Sequence, residues 1–149
     1  MRDVNIFLKG FRRFQHHYFD RNPELFDRLF TEGQRPRALM VACCDSRCDP
    51  GVLTDSEPGD MFVVRNVANL VPPYIQAGSY AGTTSAIAFA ICNLGVEHVI
   101  VMGHARVGGI RALRENKPPE CEEEQLIAKL LVLAEDARQQ VLKELPGKR

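Results

Sequence analysis

Residues 37–50, RALMVACCDSRCDP, begin as an apolar run and end in two aspartates, an arginine and three cysteines. An apolar run without polar alternation suits a strand buried on both faces, as in the interior of a parallel sheet. Two further stretches read the same way, GDMFVVRNVAN at 59–69 and VEHVIVMGH at 96–104. Between them SYAGTTSAIAFAICNLG, 79–95, reads as a helix stopped by Gly95. Strands separated by helices imply an α/β fold, a parallel sheet flanked by helices. Ligands of such sheets bind beyond the carboxyl ends of the strands, where the strand order reverses. Two polar segments fall there, CCDSRCDP at 43–50 and GHARVGG at 103–109. With the first strand central, these loops are neighbours, and Cys43, Asp45, Arg47 and His104 share one crevice.

The flanks are helical. Val4, Phe7, Leu8, Phe11 and Phe14 recur at helical spacing, and a Phe-rich stripe of this kind serves as core or subunit interface. Asn22 before Pro23 is an N-cap and first-turn pair for a second helix, PELFDRLFTE at 23–32, closed by Gly33. Residues 121 to about 145 read as one Leu-rich helix dressed with Glu, Lys and Arg. No linker composition interrupts the chain, so 1–149 is expected to be one domain with 1–33 as an N-terminal helical arm.

Composition excludes several classes of function. With 149 residues the chain can form one domain with a real core. At 45% hydrophobic and 26% charged it is an ordinary globular protein rather than a disordered one. Zero formal net charge, without a basic patch beyond Arg12-Arg13, disfavours nucleic-acid binding. No stretch approaches the ~18 continuous apolar residues of a membrane span. The N-terminus MRDVNIFLKGFRRF lacks a cleavable apolar core and carries Asp3, unlike an export signal. Five cysteines, an odd number, do not suggest a disulfide framework. A reducing cytoplasm is the expectation, and it leaves Cys43 for metal or thiolate chemistry.

Cys43, Asp45 and Arg47 alternate, so an extended segment sends all three side chains to one side and Cys44 to the other. A thiolate, a carboxylate beside a guanidinium and an imidazole from the next strand make a zinc neighbourhood. The same residues also suit a buried cysteine beside a structural ion pair, with His104 a turn histidine. A nucleophilic thiolate is disfavoured, because Asp45 would repel an anionic substrate and raise the thiol pKa.

The motifs ACCDSRCDP (42–50), GDMFVVRNVAN (59–69), AGTTSAIAFA (81–90) and GHARVGGIRAL (103–113) together resemble the β-class carbonic anhydrases, over about residues 2–115. The resemblance implies reversible hydration of carbon dioxide to bicarbonate by zinc-bound hydroxide. It implies zinc ligands at Cys43, in the family's C-x-D-x-R motif, and at His104, in its H-x-x-C-G-G motif. The family's second cysteine falls on Val107, so the implied zinc site is incomplete and activity impaired. Asp45 and Arg47 take the family's catalytic positions. Gln34, Phe62, Val67 and Gly108 match substrate-pocket residues, and Phe89 stands where many members have tyrosine. That pocket lies at a dimer interface, which implies a homodimer or larger assembly.

Asp45 is the most economical substitute for the missing ligand; Cys48 reaches the site only if its loop folds back. The alternative to an enzyme is a catalytically silent relative, an anion-binding or structural, oligomer-forming module. Family members run on beyond residue 149, so the expected sheet has about three strands in the order 2-1-3. Its third strand is then an edge that the last helix or another subunit must cover.

Overall fold

The apolar run at 38–43 forms the middle strand of a three-stranded parallel sheet. A computed structural model describes residues 3–73, 81–115 and 119–144. The strands are β1 (Ala38–Cys43), β2 (Met61–Asn66) and β3 (His98–Met102), in the spatial order β2-β1-β3. The register pairs Leu39 with Phe62 and Val99, and Cys43 with Asn66. Because β1 has a neighbour on each side and apolar residues on both faces, Leu39, Met40, Val41 and Ala42 are all buried. Leu39 and Val41 make the centre of the core with Ala90, and Phe62, Val64, Ile87 and Val96 pack around them.

The helices are α1 (Asn5–His17), α2 (Pro23–Glu32), α3 (Pro50–Thr54), α4 (Ala81–Cys92), α5 (Gly108–Glu115), α6 (Glu122–Leu131) and α7 (Glu135–Glu144). The chain divides into two compact units, Met1–Gln34 and Arg35–Arg149. In the first, Phe14, Tyr18, Phe19 and Phe26 form an aromatic cluster, with Phe19 and Phe26 rings 4.5 Å apart. Asn22 stands at the N-cap of α2 as its sequence suggests, but its side chain does not cap the helix. It donates instead to the carbonyl of Tyr18 at 2.7 Å.

In the second unit, α4 ends as Gly95 turns left-handed, φ 64°, with the Val96 amide bonded to the Ala90 carbonyl. Ser79 and Tyr80, at the start of the expected helix, lie outside the described residues. The single helix expected from 121 is two helices, α6 and α7, joined by a 3₁₀ turn at Val132–Ala134. Leu131 and Val132 keep right-handed helical angles there, with ψ of -22° and -28°, so the chain tightens without turning away. The short α3, opened by the Asp49 side chain on the Val52 amide, was not evident in the sequence.

The expectation of β3 as a buried strand does not hold within one chain. Val99, Ile100 and Val101 are 49%, 42% and 51% exposed, which agrees with its expected place as an uncovered edge. Among the described residues no helix is long and apolar enough to cross a membrane.

Candidate metal centre

β1 ends on Cys43, and the parallel register sets Met102 beside Ala42, so the chain leaving β3 carries His104 up to the same end of the sheet. Beyond Cys43 the backbone tightens into a 3₁₀ turn at Ser46–Cys48. Asp45 organises that turn, its carboxylate accepting from the Arg47 amide at 2.9 Å and its carbonyl from the Cys48 amide at 3.1 Å. The turn brings Cys48 back under Cys43, where its thiol faces the carbonyls of Asp45 at 3.2 Å and Cys43 at 3.5 Å. The sulfurs of Cys43 and Cys48 and a ring nitrogen of His104 all lie within 4.8 Å of one another. Cys43 is 6% exposed and Cys48 2%. Cys44 points outward and is exposed, as the alternation suggested.

Arg65, at the end of β2, ties this loop to the sheet. Its guanidinium donates to the carbonyl of Cys43 at 3.0 Å, to that of Asp45 at 2.9 Å and to the Asp49 carboxylate at 2.6 Å. One side chain thus holds three residues of the loop that delivers both buried thiols. A second constraint comes from the turn after β2, where Ala68 is left-handed at φ 68°. A Cβ on Gly109 would lie 3.2 Å from both Ala68 Cβ and Val67 Cγ1 and 3.1 Å from Leu131 Cδ2, so α5 approaches that turn through a glycine.

The electrostatics follow from these contacts. Burial pushes the Cys43 thiol up, but the Asp45 amide, the nearby His104 imidazole and the Ala68 amide outweigh it, and the thiol lies below its ordinary value. Burial raises the Cys48 thiol, helped by Cys43 and Asp45. Arg47 makes a two-pronged pair with Asp45, at 2.9 and 2.7 Å, and holds that carboxyl well below the usual carboxylate range. His104 Nδ1 lies 2.9 Å from the carbonyl of Ala105, a contact that requires the proton on Nδ1. In the neutral ring Nε2 then carries the lone pair. That atom is buried with no partner but the adjacent Cys43 thiol, whose thiolate form favours a protonated imidazole and raises the His104 pKa.

This donor set fits a zinc ion. Buried polar atoms are normally satisfied, and an imidazole nitrogen with no partner but a thiol, beside two buried sulfurs, is what a soft divalent metal completes. The backbone acceptor on Nδ1 is the usual orienting partner of a metal-binding histidine. Asp45 is not in the group of converging donors, its carboxylate being engaged by Arg47.

The substrate-pocket positions divide. Val67 and Gly108 lie at the metal-centre end, Val67 against Gly109 and Gly108 opening α5. Phe62 pairs with Leu39, four residues back along β2 from Asn66, about 13 Å at strand spacing. It packs there against Phe89 with the rings tilted, centroids 5.9 Å apart. Within one chain these two phenylalanines do not reach Cys43. Gln34 ends the first unit. Val107 lines a cavity of about 680 Å³ with His104, Arg106, Ile110, Arg111 and Arg114. Sequence reasoning missed Arg65, and the condition it set for Cys48, that its loop folds back, is met; the signal was an arginine at the end of the second strand and the C-x4-C spacing.

The carbonic anhydrase family profile matches residues 38–149. A carbonic anhydrase of Synechococcus elongatus is 41% identical over 106 residues, 71% of this chain and 38% of the relative. The chain therefore spans well under half the length of that curated relative. Among solved structures, the β-carbonic anhydrase CcaA superposes with a TM-score of 0.83 at 35% identity, over 94% of this chain and 66% of that one. Tetrameric β-carbonic anhydrases from Sordaria macrospora superpose with a TM-score of 0.78 at 28% identity, over 94% and 66%. A parallel 2-1-3 sheet, paired thiols and an imidazole at its carboxyl end, and these likenesses agree: the chain belongs to the β-class carbonic anhydrase family.

Proposed function

We propose that the protein carries out reversible hydration of carbon dioxide to bicarbonate, with Cys43 and His104 holding zinc and with activity reduced by the valine at 107. The observation that carries this reading is the buried Nε2 of His104, with no partner but the Cys43 thiol. Zinc, when bound, would supply Lewis acidity, lowering the pKa of a water from 15.7 to about 7. Asp45, kept ionised by Arg47, is a fixed acceptor that orients an O–H group of water or bicarbonate. Arg47 positions that carboxylate and balances its charge. Val67 and Gly108 form the near wall of the substrate pocket, and Phe62 and Phe89 belong to the wall supplied across a subunit interface. The homo-oligomer this requires is supported by the exposed apolar residues of β3. Five unpaired cysteines favour a reducing compartment, the cytoplasm.

Stopped-flow hydration with added zinc tests the reading. Turnover above buffer is expected, lost on chelation and in His104→Ala; a zinc-loaded protein with no turnover would sink it. A specific observation favours a second reading, a silent anion-binding module. The cavity beside Val107 is lined by Arg106, Arg111 and Arg114, of which Arg111 also pairs with Glu115 at 3.6 Å. In that case bicarbonate binds without hydration, and Arg114→Ala weakens its binding.

A further inference from the structure

We propose that Cys48 supplies the third protein ligand of the zinc site, in the role that Val107 cannot fill, so that the donor set is Cys43, Cys48 and His104. The inference rests on the carbonic anhydrase reading for the identity of the metal, and on the loop geometry for the ligand.

Three observations carry it. The first is convergence. Ligand atoms on a tetrahedral zinc, with Zn–S near 2.3 Å and Zn–N near 2.0–2.1 Å, lie roughly 3.5–3.8 Å from one another. The two sulfurs and the imidazole nitrogen are already within 4.8 Å, from a strand end, a 3₁₀ turn and the β3–α5 loop. The site closes on an ion by movements of about 1 Å or less.

The second is that the arrangement is built. Cys48 is brought beneath Cys43 by the Asp45-capped turn, and Arg65 clamps the carbonyls of Cys43 and Asp45 together with the Asp49 carboxylate. A loop held at three points presents the Cys48 sulfur to the site with little ordering left for the metal to impose.

The third is competition between candidate ligands. For Asp45 to bind the metal it must give up two charge-assisted bonds from the Arg47 guanidinium, at 2.9 and 2.7 Å. Cys48 gives up only thiol contacts of 3.2 and 3.5 Å to carbonyls, and a thiol is a weak donor. Ligation by Cys48 also balances charge. Two thiols each lose a proton to solvent, the two thiolates neutralise the dication, and His104 binds neutral through Nε2. Asp45 then stays with Arg47, available to substrate. Position 48 thus restores a two-thiolate, one-imidazole site from the opposite side to position 107.

The test uses the full chain, reduced, with zinc or cobalt(II). Zinc-edge X-ray absorption on the unmutated protein should count two sulfurs per metal, and cobalt should give an intense sulfur-to-metal charge-transfer band. Cys48→Ser should lower zinc affinity, read by chelator competition, by more than the roughly 10–100-fold that loss of an outer-shell partner costs. It should also weaken the cobalt band, and Cys44→Ser should change neither. Adding Val107→Cys to Cys48→Ser should bring both back. One sulfur per metal, no bound metal, or a second sulfur that disappears in Cys44→Ser overturns the proposal. If Cys48→Ser does not fold, the sulfur count and the Cys44→Ser control still decide. Two sulfurs, one of them lost in Cys48→Ser, without hydration would leave the ligand assignment standing and remove the proposed activity.

Discussion

At the scale of residues, the site depends most on a side chain that touches no metal donor atom. Arg65 hydrogen-bonds two carbonyls and a carboxylate of the loop carrying Cys43 and Cys48, and its side chain is only 27% exposed. Removing it leaves those acceptors facing a partly closed space, and hydrogen bonds to charged groups contribute about 1.5–3 kcal/mol. Arg65→Ala is therefore expected to lower stability by about 2–3 kcal/mol in urea unfolding. It should also weaken zinc binding by about 10–100-fold, as loss of an outer-shell partner does. Arg65→Lys, with one point of donation where the guanidinium has a fork, should recover little of the metal affinity. A variant that binds zinc as well as the parent would show that the 3₁₀ turn holds itself.

Among elements, the contact of α5 with the turn after β2 is the tightest test of packing. The three atoms that a Cβ on Gly109 would meet at 3.1–3.2 Å belong to Leu131, Ala68 and Val67, and Leu131 anchors the end of α6. Gly109→Val should cost about 1–3 kcal/mol through overpacking, seen as a lowered Tm, and should disturb the helix that follows His104. A second prediction concerns α7, whose Glu135 accepts from Gln139 at 2.6 Å and from Arg138 at 2.8 Å. Gln139 first, then Arg138, holds this carboxyl below its ordinary value. A depressed carboxyl stabilises the fold above its unfolded pKa of about 4.3, and that contribution is lost as pH falls through the folded value. The Tm difference between the parent and Glu135→Gln should thus be flat from pH 7 to 5 and shrink in more acid solution. A difference that grows on acidification would contradict the pairing.

For the whole molecule, the exposed edge strand makes a prediction about assembly. Val99 and Val101 on one face of β3, and Ile100 on the other, remain 42–51% exposed. A strand so apolar and so open marks an interface or an aggregation site. Sedimentation at micromolar concentration should show a dimer or larger species, and Val101→Glu should shift it toward monomer. The same assembly is what could bring a second copy's Phe62 and Phe89 near Cys43. A monomeric parent chain would remove that route to a complete pocket.

Much of this was written locally in the chain. The three apolar runs, the α2 boundaries at Pro23 and Gly33 and the stop at Gly95 follow from residues acting on their immediate neighbours, whereas the 2-1-3 order is an expectation from the family resemblance. The meeting of Cys43 with His104 was legible too, because a parallel sheet collects its strand ends at one edge. Tertiary structure decided the rest. The Asn22 side chain donates to the Tyr18 carbonyl and does not cap α2, and the 121–145 segment tightened at 132–134 although no Gly or Pro marks the place. Alternation placed Cys44 correctly but could not predict Cys48, since alternation holds only while the chain is extended. After Asp45 the chain turns, and the turn is held by Arg65 from another strand, twenty residues from Asp45 in sequence. Sequence spacing determines which residues share a strand end; how the loop folds back over it is decided by the local Asp45 turn together with the long-range hydrogen bonds of Arg65.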